Sequence, residues 1–247
     1  MLGLPDGVKA CLFDLDGVLT KTAKVHAAAW KQMFDDFLRA RAEQHGQEFV
    51  PFDEVRDYEQ YVDGKPRYDG VASFLDSRGI QLEEGTPQDP PGAETIHGLG
   101  NRKNVIVLDM IERHGVETYE GSVEYVHAVR SAHMTAAVVS SSSNAHEVLA
   151  AAGIEQLFDV VIDGGLADRE HLLGKPAPDT YLAGARAVGS RPAEAAVFED
   201  AIAGVEAGRA GRFGCVVGVD RLGQADALRD HGADVVVADL GELLDSP

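Results

Sequence analysis

Six short apolar runs limit what this chain can fold into: Val8 to Phe13, Ala136 to Val139, Phe158 to Ile162, Ala195 to Phe198, Gly214 to Val217 and Asp234 to Val237. Runs of this length are strand-sized, and near-continuous apolarity means burial on both faces. Helical patterns lie between the later runs, at roughly Val123 to Ala132, Ala145 to Ala151, Asp179 to Val188, Ile202 to Ala210 and Gln224 to Asp230. The alternation predicts an α/β fold with a parallel sheet flanked by helices. Four runs end in a polar or acidic cluster: Asp14-Leu15-Asp16-Gly17, Ser140 to Ser143, Asp163-Gly164-Gly165 and Glu199-Asp200. Ligands gather at the carboxyl ends of such strands, so one shared site is expected there.

Between about residues 20 and 116 the alternation stops. Lys24 to Gln44, Asp53 to Tyr61, Tyr68 to Arg78 and Asn101 to His114 read as helices. The expected organisation is an α/β core of residues 1–19 and 117–247, with a helical domain of residues 20–116 inserted after the first strand. Within the insert, Glu83 to Gly100 is rich in Pro, Gly and charge and reads as an exposed loop.

The 22 Lys and Arg stand against 41 Asp and Glu, a formal charge of −19. Such a surface repels nucleic acid and anionic lipid, so neither is an expected partner. A bound phosphate would need a local island of cations and backbone N–H groups. Cys11 and Cys215 lie in separate apolar runs and read as buried free thiols, which fits a reducing compartment. No apolar run approaches the ~18 residues of a membrane helix. The segment Met1 to Gly7 lacks the basic start and apolar stretch of a secretory signal. Cytoplasmic residence is the expectation.

Asp14 and Asp16 follow the first strand, and alternation along an extended segment puts them on one side. Two carboxylates this close resist ionising together without a cation. Mg²⁺ suits such oxygen ligands. One carboxylate can then attack phosphorus while the other shuttles a proton. Taken alone, the segment also reads as a strand-end turn whose carboxylates bond only to backbone.

Asp14-Leu15-Asp16-Gly17, Ser140, Lys175 within Gly174-Lys175-Pro176-Ala177-Pro178-Asp179, and Glu199-Asp200 occur in the order and strand contexts of the haloacid dehalogenase superfamily. The chain resembles that superfamily over nearly its whole length. The resemblance implies a Rossmann-like core with an inserted α-helical cap and a site between them. It implies Asp14 as nucleophile and Asp16 as acid–base, with Mg²⁺ held by Asp14, the Asp16 carbonyl and Asp200, and Glu199 supporting. Ser140, at a strand-to-helix junction, can bind phosphate oxygens; the alternative is a Ser-rich capping loop. Lys175, fixed by the prolines, can neutralise Asp14 and the transferring group; the alternative is a solvated surface lysine. Glu199 and Asp200 could instead cap the next helix.

Within the superfamily the chain looks most like the β-phosphoglucomutases. Thr22, His26 and Trp30 match that family's spacing after the Asp loop, with His26 where the family places its hinge-linked acid–base histidine. A surface His26 and a core Trp30 are the alternatives. Gly64-Lys65-Pro66-Arg67 resembles the family's Gly-x-x-Arg, whose Arg grips the non-transferring phosphate. Arg102-Lys103-Asn104 resembles the segment whose Lys pairs with the histidine. Ser140, Ser141, Ser142, Ser143 and Asn144 match the loop that contacts phosphate and sugar hydroxyls. Ser143, Lys21, Ala201 and Asp63 depart from the family's usual residues. The implied activity is conversion of β-glucose 1-phosphate to glucose 6-phosphate by a monomer or weak homo-oligomer. A sugar-phosphate phosphatase and, more remotely, a non-catalytic phosphosugar-binding protein are the rivals.

Overall fold

The computed structural model describes residues 2–244. They form two compact units, one running to Lys21 and resuming at Val116, the other Thr22–Gly115.

The first unit is a six-stranded parallel sheet: β1 (Ala10–Phe13), β2 (Thr135–Val139), β3 (Val160–Ile162), β4 (Ala195–Glu199), β5 (Cys215–Val219) and β6 (Val235–Val237), in the order β3-β2-β1-β4-β5-β6. β1 therefore lies between β2 and β4, with Phe13 opposite both Val138 and Phe198. Its four residues are fully buried, as continuous apolarity requires of a strand covered on both faces. Phe13 stacks on Phe198 with ring centroids 4.4 Å apart. Cys11 and Cys215 are buried free thiols in β1 and β5.

The second unit contains α1 (Ala23–His45), α2 (Arg67–Ser77) and α3 (Ile96–His114). The first unit adds α4 (Glu120–Ser131), α5 (Ala145–Ala152), α6 (Gly164–Glu170), α7 (Asp179–Ala187), α8 (Ile202–Ala210) and α9 (Ala225–Asp230). The helical unit has an apolar core of its own, in which Phe34 packs against Trp30, Phe52 and Phe74 with centroids 5.3, 5.3 and 4.1 Å away. Among the described residues no helix is long and apolar enough to cross a membrane.

Two local expectations are corrected. The segment read as a helix over Asp53 to Tyr61 instead carries a π-helical turn, Tyr58–Val62, because Asp63 N–H reaches back five residues to the Tyr58 carbonyl. The loop read over Glu83 to Gly100 ends sooner: Thr95 caps α3, its Oγ1 accepting from Gly98 N–H at 2.9 Å. Gly98 and Gly100 made that first turn look like loop. A Cβ at Gly98 would overlap the Ala93 carbonyl, and one at Gly100 would lie 2.6 Å from Tyr68 Cδ1, so close packing explains both glycines. After β3, the Asp163-Gly164-Gly165 cluster starts α6, with Asp163 Oδ1 accepting from Leu166 N–H at 2.7 Å.

Trp30 is the single tryptophan and packs in the helical core, so its fluorescence follows that unit. Phe34→Ala should lower the stability of the unit by about 3–5 kcal/mol, the range for deleting a buried aromatic ring. Urea unfolding followed at Trp30 measures it, and a change below about 1 kcal/mol would contradict this packing.

Candidate active site

The sheet order brings the acidic clusters together. Asp14 is the first residue beyond β1, and its N–H donates to the Phe198 carbonyl at 2.9 Å. Glu199, the last residue of the neighbouring β4, is thereby held beside it. The loop after Asp14 closes on itself, Gly17 N–H donating to the Thr20 carbonyl at 2.8 Å. Gly17 adopts φ +91°, and a Cβ there would overlap Asp200 Oδ2, so only glycine admits the neighbouring carboxylate.

Lys175 comes from the connection before α7 and is only 2% exposed. Its Nζ donates to Asp14 Oδ1 at 2.5 Å, to Glu199 Oε1 at 2.5 Å and to the Val139 carbonyl at 3.1 Å. The solvated-lysine reading of the sequence is thus overturned. Glu199 accepts two further bonds: Oε1 from the Tyr181 hydroxyl at 3.0 Å, and Oε2 from Ala201 N–H at 3.1 Å. A Cβ at Gly204 would overlap the Glu199 carboxylate, so a second glycine makes room for the site.

Asp14, Glu199 and Asp200 offer buried carboxylate oxygens all within 4.8 Å of one another. Asp16, half-buried, is outside this carboxylate group. Burial pushes the Asp14 carboxyl well above the ordinary range; Lys175 pulls it down, and Glu199 and Asp16 push it up again. Burial alone would lower Lys175, but the charges of Asp14 and Glu199 prevail and hold its ammonium above its usual value. Three buried carboxylates stand close together and only one ammonium, bonded to two of them, offsets them, in a donor set made only of oxygens. That is the chemistry of a site for a hard divalent cation.

The serine loop lies beyond β2. Buried Ser140 receives Ser142 N–H on Oγ at 3.1 Å, and Ser142 Oγ receives Asn144 N–H at 3.2 Å. Ser141 stands between them, half-buried, and buried Asn144 immediately precedes α5. Sequence reasoning missed three braces of these loops. Tyr181 holds Glu199 from α7. Arg221, just past β5, lies 3.4 Å from the centroid of the Tyr119 ring and donates from Nε to the Gly17 carbonyl at 2.8 Å. Gln224 donates to the Asp200 carbonyl at 3.1 Å. Arg221 and Gln224 follow a parallel strand's carboxyl end, the one signal that could have flagged them.

The helical unit gathers most of the other expected residues. Thr22 is buried and precedes α1, its carbonyl accepting from His26 N–H at 2.8 Å. Lys103, 5% exposed, places Nζ 2.8 Å from His26 Nδ1 and 4.9 Å from the centroid of the Trp30 ring. The Lys103–His26 contact is direct. With the ammonium donating, Nδ1 accepts and the ring proton belongs on Nε2. Trp30 is 3% exposed and packs among aromatics. Gly64, at φ +68°, turns the chain toward Arg67 at the start of α2.

Lys175→Met should destabilise the chelator-treated protein by about 3–5 kcal/mol, because it leaves Asp14 and Glu199 buried without their shared cation. Chemical denaturation of both proteins measures this, and unchanged stability would mean that the ion pairs contribute nothing net.

The haloacid dehalogenase-like hydrolase family model matches residues 8–212. A β-phosphoglucomutase of Mycobacterium bovis is 54% identical, over 99% of this chain and 94% of that protein. The validoxylamine A 7′-phosphate phosphatase of Streptomyces hygroscopicus subsp. limoneus is 29% identical, over 95% of each. The crystal structure of β-phosphoglucomutase from Clostridium difficile matches with a TM-score of 0.76 at 25% identity, over 96% of this chain and 93% of that one. Motif order, sheet topology and these matches agree: the chain belongs to the haloacid dehalogenase-like hydrolase family, in its β-phosphoglucomutase-like branch.

Proposed function

We propose that this enzyme converts β-glucose 1-phosphate to glucose 6-phosphate through the 1,6-bisphosphate. The Asp14 carboxylate attacks phosphorus, the bond from phosphorus to the departing sugar oxygen breaks, and Asp16 supplies that oxygen's proton. In the other half-reaction the 6-hydroxyl of β-glucose 1-phosphate attacks the aspartyl phosphate and gives its proton to Asp16 as the bond from phosphorus to Asp14 breaks, which forms the bisphosphate. Lys175 holds Asp14 in line and offsets the charge gathering on the phosphoryl oxygens. Ser140 and the backbone N–H groups of the serine loop receive those oxygens. Mg²⁺, held by Asp14, the Asp16 carbonyl and Asp200, would supply further charge neutralisation, with Glu199 acting through Lys175. Arg67 takes the phosphate that is not transferred, its planar fork suiting two oxygens. Thr22, Trp30, Gly64, Ser141, Ser142 and Asn144 complete the sugar-phosphate set.

The observation that carries the mutase reading is the pair of buried Lys103 and half-buried His26, 2.8 Å apart. With Nε2 carrying the ring proton, a histidine fixed by a lysine can hold a sugar oxygen by a hydrogen bond, which hydrolysis by water does not require. The 54% identity to a β-phosphoglucomutase supports it. A phosphatase would use the same Asp14 cluster, and the 29% identity to the validoxylamine A 7′-phosphate phosphatase favours that second reading.

The test supplies β-glucose 1-phosphate with a trace of the bisphosphate and follows glucose 6-phosphate and inorganic phosphate together. Glucose 6-phosphate should form faster; faster release of phosphate would establish the phosphatase instead. His26→Ala should lower mutase turnover by ~10²–10⁴-fold, the scale of a lost acid–base or gating element, while hydrolysis of the aspartyl phosphate changes far less. Equal losses in the two rates would make His26 a structural residue.

A further inference from the structure

The segment from Glu83 to Thr95 has no regular secondary structure but is tightly ordered by its own bonds. The Asp89 carboxylate accepts from Thr86 Oγ1 at 2.9 Å and from Thr95 Oγ1 at 2.6 Å. Gly85 turns at φ +74° where a Cβ would overlap that carboxylate. The segment is fastened to the first turns of α3: Ile96 and His97 N–H donate to the Glu83 and Glu84 carbonyls at 3.0 and 3.1 Å, and Arg102 Nε donates to the Pro91 carbonyl at 2.8 Å.

From this segment a line of hydrogen bonds runs to Arg67. Asn101 Nδ2 donates to the Pro87 and Asp89 carbonyls at 3.1 and 2.9 Å. Two carbonyls can only accept, so the amide has one orientation and Oδ1 faces the other way. Oδ1 accepts from the Tyr68 hydroxyl at 2.8 Å, and the Tyr68 oxygen then accepts from Arg67 Nη2 at 3.0 Å. Each link fixes the sense of the next. The Tyr68 ring also has the His97 ring 4.0 Å from it, centroid to centroid, and the Arg67 guanidinium carbon 4.8 Å from its own centroid. Arg67 Nε is buried and has no hydrogen-bond partner among the described residues. The guanidinium is thus pinned at one nitrogen while a buried N–H donor is left for an oxygen acceptor.

We propose that Glu83 to Thr95 is a positioning device for Arg67, acting through Asn101 and Tyr68. By holding the guanidinium in one pose before substrate arrives, it sets how tightly the enzyme grips the phosphate that is not transferred. The inference rests on the reading of Arg67 as the ligand of that phosphate. Tyr68 and Asn101 are positioning residues, since neither needs to touch substrate.

The experiment compares Tyr68→Phe, Asn101→Ala and Arg67→Ala with the parent enzyme. It measures kcat and KM for β-glucose 1-phosphate, the rate at which acetyl phosphate phosphorylates the protein, and Tm. Acetyl phosphate has no second phosphate and so does not call on Arg67. Tyr68→Phe and Asn101→Ala should each raise KM about tenfold or more, the effect of one lost hydrogen bond to a charged group, and leave phosphorylation by acetyl phosphate at the parent rate. If Arg67→Ala raises KM and the other two do not, the positioning role is overturned and the Arg67 assignment stands. If Arg67→Ala leaves KM unchanged, the Arg67 assignment falls and the inference falls with it. A fall in acetyl phosphate reactivity matching the rise in KM would make Tyr68 and Asn101 general structural residues, which also overturns the proposal.

Discussion

The ammonium of Lys175 ties together the ends of three strands. It bonds to Asp14 beyond β1, to the Val139 carbonyl at the end of β2 and to Glu199 at the end of β4. Those strands are neighbours because β1 lies between the other two. A lysine buried this deeply is tolerable only with its charge met, and the carboxylates around it are tolerable only with the lysine present. Tyr181, Ala201 N–H and the missing Cβ of Gly204 all serve to keep Glu199 where Lys175 needs it. The phosphoryl-transfer chemistry depends on a local compromise among charges that the fold brings close and a single cation keeps in place.

Lys103 and Lys175 are the two buried lysines among the described residues, one in each unit. In a chain with a formal charge of −19, most cations can remain at the surface, where water solvates them. These two instead sit against a histidine and a carboxylate pair. Each gives up hydration for a fixed partner, the trade expected where a charge has to be aimed.

Much of this was legible in the sequence. A four-residue apolar strand followed by Asp-Leu-Asp-Gly has few readings, and the later strand ends repeat the signal. Helices such as Ile202–Ala210 have local causes, namely period and breakers, and the sequence places them well. What was hidden depends on three-dimensional neighbours. Tyr181 looks like any core aromatic on α7 until Glu199 is set opposite its hydroxyl. Gly204 looks like a weak point in α8 until a carboxylate fills the place of its side chain. The start of α3 was misread because Gly98 and Gly100 are unfavourable in an isolated helix, and only packing against Ala93 and Tyr68 explains them. The lysine–histidine contact spans two helices far apart in the chain, and spacing alone could not make it direct.

The central position of β1 bears on the order in which the molecule can be made. Ala10 waits for register partners at Thr135 and Ala195, which leave the ribosome long afterwards. Residues 22–115, by contrast, are contiguous and enclose their own aromatic core, so they can become compact while the sheet still lacks every strand but the first. Until then this strand, fully buried in the finished sheet, is an unpaired edge, and its brevity, four residues, limits its opportunity to pair with other nascent chains.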